Sequence, residues 1–526
     1  MSVRNGIVLF LALSTLSLLV ACGGYGSPKV VPPPSGGFSN SNFKGTYVIS
    51  IAGTDANSTT QSFFAIVGTI AADGSGNITG GTVDINDPNI GGFFPAQAVS
   101  ASTYKIGTDG RGTGKLVTPV GTFDLDFVLT SNGHGLITRF DAFGSGSGTL
   151  DVQGSASQSA LTSLAFSLFG TDSTSSFLLG SVGAATLDSS GNVTSGTQDF
   201  NEGNSSAGLT NLALNGSVVL TSSTAGTATL TTPGIFGALT FDVWVIDSTH
   251  LKLIETDAAA VLTGDAFTQQ TSFPTGQLVF TLAGADSSIP ANALVAGGFV
   301  TSDVNGNLTN GVEDFNDGGI AATAPTFTGS CTTFVAGRCQ LVLTGFSNGS
   351  SQTFQFAAYP SSGGVQLLEV DSFGLLQGAA YAQTATSFAA SQGYGLNLSG
   401  INVAEVDDIA EFTTSSTNIS GILDENDLGV PYLPETLSGT YSPDSPATGR
   451  GSITVPSLKY GIGTLNLEYY VVDSSTILFI DGDTNPAQVA VGTFQLQNAA
   501  SSPAMAQPAI SVFRPVFRPH AALRRK

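Results

Sequence analysis

The chain has 526 residues, with 38 acidic against 16 basic side chains, 66 glycines, 34 phenylalanines and one tryptophan. Six of the bases lie at the two ends (Arg4, Arg514, Arg518, Arg524, Arg525, Lys526), so the remainder holds 10 bases against 38 acids, a balance of −28. So acidic a body excludes nucleic-acid binding, which needs clustered Lys and Arg, and three histidines exclude a histidine-rich zinc site.

At the start, Arg4 precedes an apolar run from Gly6 to Val20. That is the layout of a secretory signal, too short for a comfortable membrane span. It ends in Leu19-Val20-Ala21-Cys22-Gly23, which resembles the lipobox of bacterial lipoproteins. The resemblance implies removal of residues 1–21, a lipid on Cys22 and export to an outer membrane or cell surface. Residues 22–40, rich in Gly, Pro and Ser, read as a tether.

Four β repeats follow, over 41–153, 154–270, 271–384 and 385–498. The phrase Asp73-Gly-Ser-Gly-Asn77 returns at Asp188–Asn192 and Asp303–Asn307, and in a worn form at Asn418–Gly421. The openings around Gly53, Gly170, Gly284 and Gly400 and the endings at Gly148, Gly264, Gly378 and Gly492 keep the same step. A period near 115 residues means tandem domains, because solenoid repeats run to roughly 20–50.

Within a repeat the apolar residues alternate. Phe123, Leu125, Phe127 and Leu129 share one face, and Asp124 and Asp126 the other. Repeat one divides into eight strands near 43–52, 61–71, 77–86, 99–107, 112–118, 122–130, 135–141 and 146–153, joined by turns rich in Gly, Asp and Asn. Such a meander hides its edges by closing. The expected fold is all-β: four tandem eight-stranded antiparallel up-and-down barrels, with β-sandwiches as the alternative. The opening Phe43-Lys-Gly45-Thr-Tyr47 resembles the first strand of lipocalin- and avidin-like barrels. Residues 499–526, with a doubled Val-Phe-Arg-Pro, read as a disordered basic tail.

Candidate sites are few. The trios Asp84/Asn86/Asp87, Asp199/Asn201/Glu202, Asp314/Asn316/Asp317 and Asp424/Asn426/Asp427 each gather three oxygen-bearing side chains at a strand end. With few bases nearby, they read as carboxylates lacking protein partners. Calcium suits such a set; local strand-end capping is the other reading. No other cofactor is expected. The segment after the third strand (88–98 in repeat one) differs in every repeat, marking Phe93 and Phe94 as a candidate binding loop. Aligning Gly337-Arg338-Cys339 on Gly110-Arg111-Gly112 sets Cys331 over Tyr104, on a strand facing Cys339, as a cross-strand disulfide requires. His134 and His250 occupy equivalent turns and read as exposed residues rather than bases. Gly345-Phe-Ser347-Asn-Gly349 matches a hydrolase elbow in letters, but strands flank it where the elbow needs a helix.

As a whole the chain resembles surface lipoproteins built of Gly/Thr/Ser-rich β repeats. That resemblance brings no activity with it; the leading expectation is a non-enzymatic, lipid-anchored envelope protein presenting β domains for adhesion or for binding a glycan or cell-surface ligand. Carrier barrels for a small apolar ligand and a polysaccharide-processing enzyme are the alternatives.

Overall fold

The computed structural model describes residues 37–498, apart from 57–61, 173–176, 204–205, 233–236, 289–290, 336, 347–352, 403, 433, 457, 459–463 and 485–487. The described residues form four antiparallel barrels of eight strands each. Barrel one comprises Lys44–Asp55, Ser62–Asp73, Asn77–Asp87, a broken fourth strand (Gly92–Ala98 and Ser102–Ile106), Arg111–Thr118, Gly121–Leu129, His134–Asp141 and Gly144–Val152. Each strand pairs with the next in sequence, and the eighth returns to the first. The same order runs from Ser163–Asp172 to Ala260–Thr268, from Gly276–Asp286 to Gly374–Ala382, and from Gly393–Asn402 to Val489–Leu496. Barrel two closes most thinly, through an Asn192–Ser217 bridge and the Val218 N–H on the Gly191 carbonyl. Among the described residues no helix is long and apolar enough to cross a membrane.

Alternation fills the interiors. Ile49, Ile51, Phe64, Ile66, Leu125, Phe127, Ile137 and Leu150 meet inside barrel one. An added phenylalanine packs several cores. Phe43 stands against Tyr47, Tyr104 and Phe127, and Phe388 against Tyr394, Tyr441, Tyr469 and Phe494. Phe346 sits at the centre of barrel three among Phe280, Phe327, Phe354 and Phe356. The residue inside the elbow-like motif is therefore a core plug. Barrel three retains a cavity of about 30 Å³ beside these rings, far below the ~300 Å³ at which ligand pockets begin.

The four barrels also close on one another. Outward faces of strands one to three in each barrel pack against strands six to eight of the next. Phe63, Ala65 and Val67 meet Ile254 and Val261. Phe169, Leu178 and Val182 meet Tyr359, Leu368 and Leu375. Val279, Val295 and Phe299 meet Tyr470, Ile480 and Val489. Ile409 of barrel four meets Val128 and Leu136 of barrel one, so the row bends into a ring. The linkers repeat this closure. The N–H groups of Gly154, Gln270 and Thr384 bond the carbonyls of Ile246, Pro360 and Val472 in the following barrel. Asn498, after the last strand, bonds Thr130 of barrel one at 2.7 Å.

The periodic glycines follow from closure of each barrel. Strands one and eight approach so closely that a Cβ on Gly148, Gly264, Gly378 or Gly492 would meet a first-strand carbonyl oxygen at 1.7, 1.9, 2.1 and 2.2 Å. Gly264→Ala should accordingly lose stability at the upper end of overpacking costs, about 3 kcal/mol. Urea unfolding followed by the fluorescence of Trp244, which lies in the same barrel, measures it; an unchanged midpoint contradicts the close approach.

Candidate functional site

Each acidic trio lies where a third strand ends, at the seam with the next barrel. Asp84 accepts from Trp244 Nε1 of barrel two at 2.7 Å. Asp199 accepts from Arg338 Nε at 2.8 Å and Nη2 at 2.7 Å, and from the Tyr359 hydroxyl, all of barrel three. Asp314 accepts from Arg450 Nε and Nη2, each at 2.7 Å, and from the Tyr470 hydroxyl of barrel four. Asp424 accepts from Arg111 Nη1 of barrel one at 2.6 Å. On three of these aspartates a second bond comes from within the barrel, from the N–H of Ala96, Asn211 or Ala324. Those three residues have positive φ of 49°, 54° and 57°, a conformation unusual outside glycine.

The asparagines cross the same seams. Asn86 Nδ2 donates to the Glu255 carbonyl at 3.0 Å. Asn201 Nδ2 reaches the carbonyls of Glu369 and Gly374, and Asn316 Nδ2 those of Asp481, Asp483 and Gln488. Asn426 Nδ2 reaches Arg139, Asp141 and Gly144 of barrel one. The third members sit at the barrel mouths. Burial and neighbouring Asp55 push Asp87 up to about 7, burial and Asp286 push Asp317 up to about 6, and Glu202 and Asp427 are half-buried. For Asp84, Asp199, Asp314 and Asp424 the expectation that the carboxylates lack protein partners is therefore overturned, because donors reach them from other repeats. Among the described residues no three acidic, His or Cys side chains are arranged to hold a metal ion.

Alignment of Gly110-Arg111 with Gly337-Arg338 in the sequence did not extend to Gly449-Arg450 or give the pair a role, and the periodic glutamines were missed. Gly110-Arg111, Gly337-Arg338 and Gly449-Arg450 recur in step, and each arginine is the donor to a trio aspartate. Repeat two has Ala225 there, and Trp244, its partner on the neighbouring strand, supplies the donor instead. Gln153, Gln269, Gln383 and Gln497 end the repeats. Gln383 Nε2 donates to Thr448 and Val471 of barrel four, and Gln497 Nε2 to Asp109 and Leu129 of barrel one. The glycine before each arginine makes room, since a Cβ on Gly110 or Gly449 would come within 2.5 or 2.2 Å of the glutamine amide.

The histidines also depart from expectation. Both are 3% exposed and open a seventh strand. His134 Nδ1 lies 2.6 Å from Asp151 Oδ1. His250 Nε2 and Lys252 Nζ each lie 2.7 Å from Asp265 Oδ1, with the His250 ring stacked on Phe267. Burial opposes the charge on Asp151, but His134, with Lys252 and His250 of barrel two, holds its carboxyl down to about 2. Neither His134 Nε2 nor His250 Nδ1 has a hydrogen-bond partner among the described residues, so neither is paired with a nucleophile. These are structural hydrogen-bonded pairs of buried histidines.

The variable segment is a strand rather than a loop. Phe93 and Phe94 pair across Asn86 and Ile85, both half-buried, and Phe94 packs on the core of barrel one. An open concavity lies elsewhere, where the linker into barrel three meets barrels three and four. This groove of about 420 Å³ is lined by Ser272, Pro274, Ser361, Tyr381, Asp473 and Thr476 among others. Tyr381 is 6% exposed, and its hydroxyl has no hydrogen-bond partner among the described residues. Cys331 and Cys339 are disulfide-bonded with Cα atoms 5.7 Å apart. The Cys331 N–H bonds the Gly306 carbonyl as Tyr104 bonds Gly76, in keeping with the alignment. Cys22 and Ser347 lie outside the described residues.

No protein-family model and no curated protein matches the chain. Among solved structures it is similar at 11% identity to transferrin binding protein B from serogroup B Neisseria meningitidis, over 69% of this chain and 84% of that one, with a TM-score of 0.18. CghA aligns at 9% identity over 91% of this chain and 97% of that one, with a TM-score of 0.13. At such scores neither likeness carries an argument.

Removing one side of a buried pair leaves an uncompensated charge. Asp314 is 1% exposed in its pair with Arg450, so Arg450→Met should cost roughly 3–5 kcal/mol. Arg450→Met with Asp314→Asn should cost less than Arg450→Met alone. Calorimetric unfolding of the three proteins tests the order; equal losses in both variants contradict it.

Proposed function

We propose that the chain is a non-enzymatic, lipid-anchored protein of the cell envelope that presents a ring of four barrels as a binding platform. The observation that carries this reading is where space remains. The interior cavity of barrel three holds about 30 Å³, which argues against a carrier of apolar ligands. The histidine–carboxylate pairs face no nucleophile among the described residues, which argues against histidine-assisted nucleophilic catalysis at either of them. Recognition is then left to surface concavities such as the groove of about 420 Å³ at Tyr381. Its exposed Ser272 hydroxyl and its half-buried carboxylate at Asp473 suit a polar, hydroxyl-bearing ligand such as a glycan segment. The Leu19–Cys22 motif supplies the address: a diacylated Cys22 with the stretch 23–36 as tether.

Two measurements test this reading. Cys22→Ser should move the protein from the membrane to the soluble fraction or leave it as unprocessed precursor; normal maturation and retention of the variant refute the anchor. On an oligosaccharide array the purified protein should retain a subset of glycans, and Asp473→Asn should weaken that binding by a factor of roughly 10 or more, the worth of a hydrogen bond to a charged group. An array without retained glycans, or binding indifferent to Asp473→Asn, removes the groove from consideration.

A further inference from the structure

Three seams of the ring join barrels that are consecutive in the chain, and the fourth joins barrel four to barrel one with no peptide linker between them. The fourth is also built differently. Opposite the seam asparagines Asn86, Asn201 and Asn316, the second strands carry Ala65, Gly180 and Val295; opposite Asn426 stands Asp407. Two residues earlier, Phe63, Leu178 and Ala293 give way to Glu405, and four residues later Thr69, Ala184 and Phe299 give way to Glu411. Glu405, Asp407 and Glu411 are all at most 2% exposed. The facing strand changes with them, since Ser145 replaces Val261, Leu375 and Val489. The apolar contact shrinks to Val128, Leu136 and Ile409, and hydrogen bonds take its place. Ser145 and Ser147 donate to Asp407 at 2.6 Å each, and Asn397 Nδ2 donates to Ser147 Oγ at 3.2 Å.

Obligate interfaces are apolar, whereas interfaces that form and dissolve are polar. We infer that the ring opens at the seam between barrels four and one as pH rises, and that when the seam re-forms on return to low pH in a concentrated solution the two faces pair head-to-tail with those of a second copy of the chain. The partner follows from the geometry. The strand one-to-three face of barrel four is complementary to the strand six-to-eight face of barrel one, and a heterologous contact of this kind closes within one chain or continues into the next.

Charge sets the condition for opening. Barrel four brings Glu405, Asp407, Glu411 and Asp424 to the seam, with Asp408, Glu425, Asp427 and Glu435 behind them. Barrel one brings Asp109, Asp126 and the cation Arg111. Burial, then Asp424, pushes Asp126 up to about 8; burial, then Asp109, pushes Glu411 up to about 8; burial raises Asp407 against its serine bonds. Carboxyls of the unfolded chain titrate near 4. Between about 4 and about 8 the closed seam therefore holds protons that the separated faces release, and its stability falls as pH rises through that window.

The test is light scattering and small-angle scattering on the purified full chain at pH 5 and pH 9. At pH 5 a compact single chain is expected. At pH 9 the radius should grow with the mass unchanged and β circular dichroism retained, and returning a concentrated pH 9 sample to pH 5 should leave a fraction of at least twice the mass. Asp407→Asn with Glu411→Gln, which removes two seam charges without changing shape, should keep the chain compact and single at pH 9. A Ser147→Cys/Asn397→Cys pair, oxidised at pH 5, should do the same by locking the seam. Unchanged size at pH 9, growth with loss of β signal, growth that persists in the neutralised variant, or only single chains after the return to pH 5 each overturns the proposal. Should the cysteine pair not fold, the isosteric variant alone decides.

Discussion

The architecture depends on one polar grip repeated at four seams. A third-strand aspartate accepts from an arginine or an aromatic donor of the next barrel, and an asparagine two residues on donates its amide to backbone carbonyls there. These groups are buried, so leaving either side unpaired costs more than the bond itself contributes. The grip thereby fixes register between barrels in a way that apolar contact, being non-directional, would not. It also decides what the glycines and glutamines must do. The Gly-Arg turn presents the guanidinium, and the linker glutamine settles into the space that the missing side chain leaves.

The architecture of a single barrel was legible because its signals are local. Period-two alternation put Phe123, Leu125 and Phe127 in the core, and the Asp73–Asn77 phrase is the hairpin turn its letters describe, with Asp73 accepting from Ser75 and Asn77. Cys331 and Cys339 could be placed for a similar reason, since aligned repeats carry strand register from one unit to another. The trios were recognisable as important and misassigned in role. Asp199 meets Arg338 139 positions away, and Arg111 meets Asp424 313 positions away. Nothing in a window of either sequence announces such a pairing. The signal that could have found it is the shared periodicity of Asp, Gly-Arg and Gln, three marks keeping one step. The histidines failed for the opposite reason. Their turn context was read correctly, but a turn at a barrel's rim is solvent-exposed only when no second barrel stands on it.

Divergence among the repeats has a physical meaning. Arg111, Ala225, Arg338 and Arg450 occupy one place, and where the arginine is missing Trp244 restores a donor to Asp84 from the neighbouring strand. The disulfide, the broken fourth strands and the unequal closure of barrel two lie within single units and leave the seams intact. Interior volume is spent on aromatic plugs such as Phe346.

Phe38 and Gln497, near the two ends of the described ring, lie against the same residue, for a Cβ on Gly110 would meet Phe38 at 2.9 Å and the Gln497 amide at 2.5 Å. A ring whose first and last strands are flanked by residues that lie against one glycine has no structural beginning. Cutting it at any linker and joining the segments that flank the ring near Phe38 and Gln497 would leave every strand pair and every seam as it is, so the order of the barrels is a convention of the chain rather than a property of the fold. By the same geometry a chain of one barrel, carrying both faces, would assemble as a homotetramer with four identical seams. Fusing four such units is what allows each seam to take a sequence of its own.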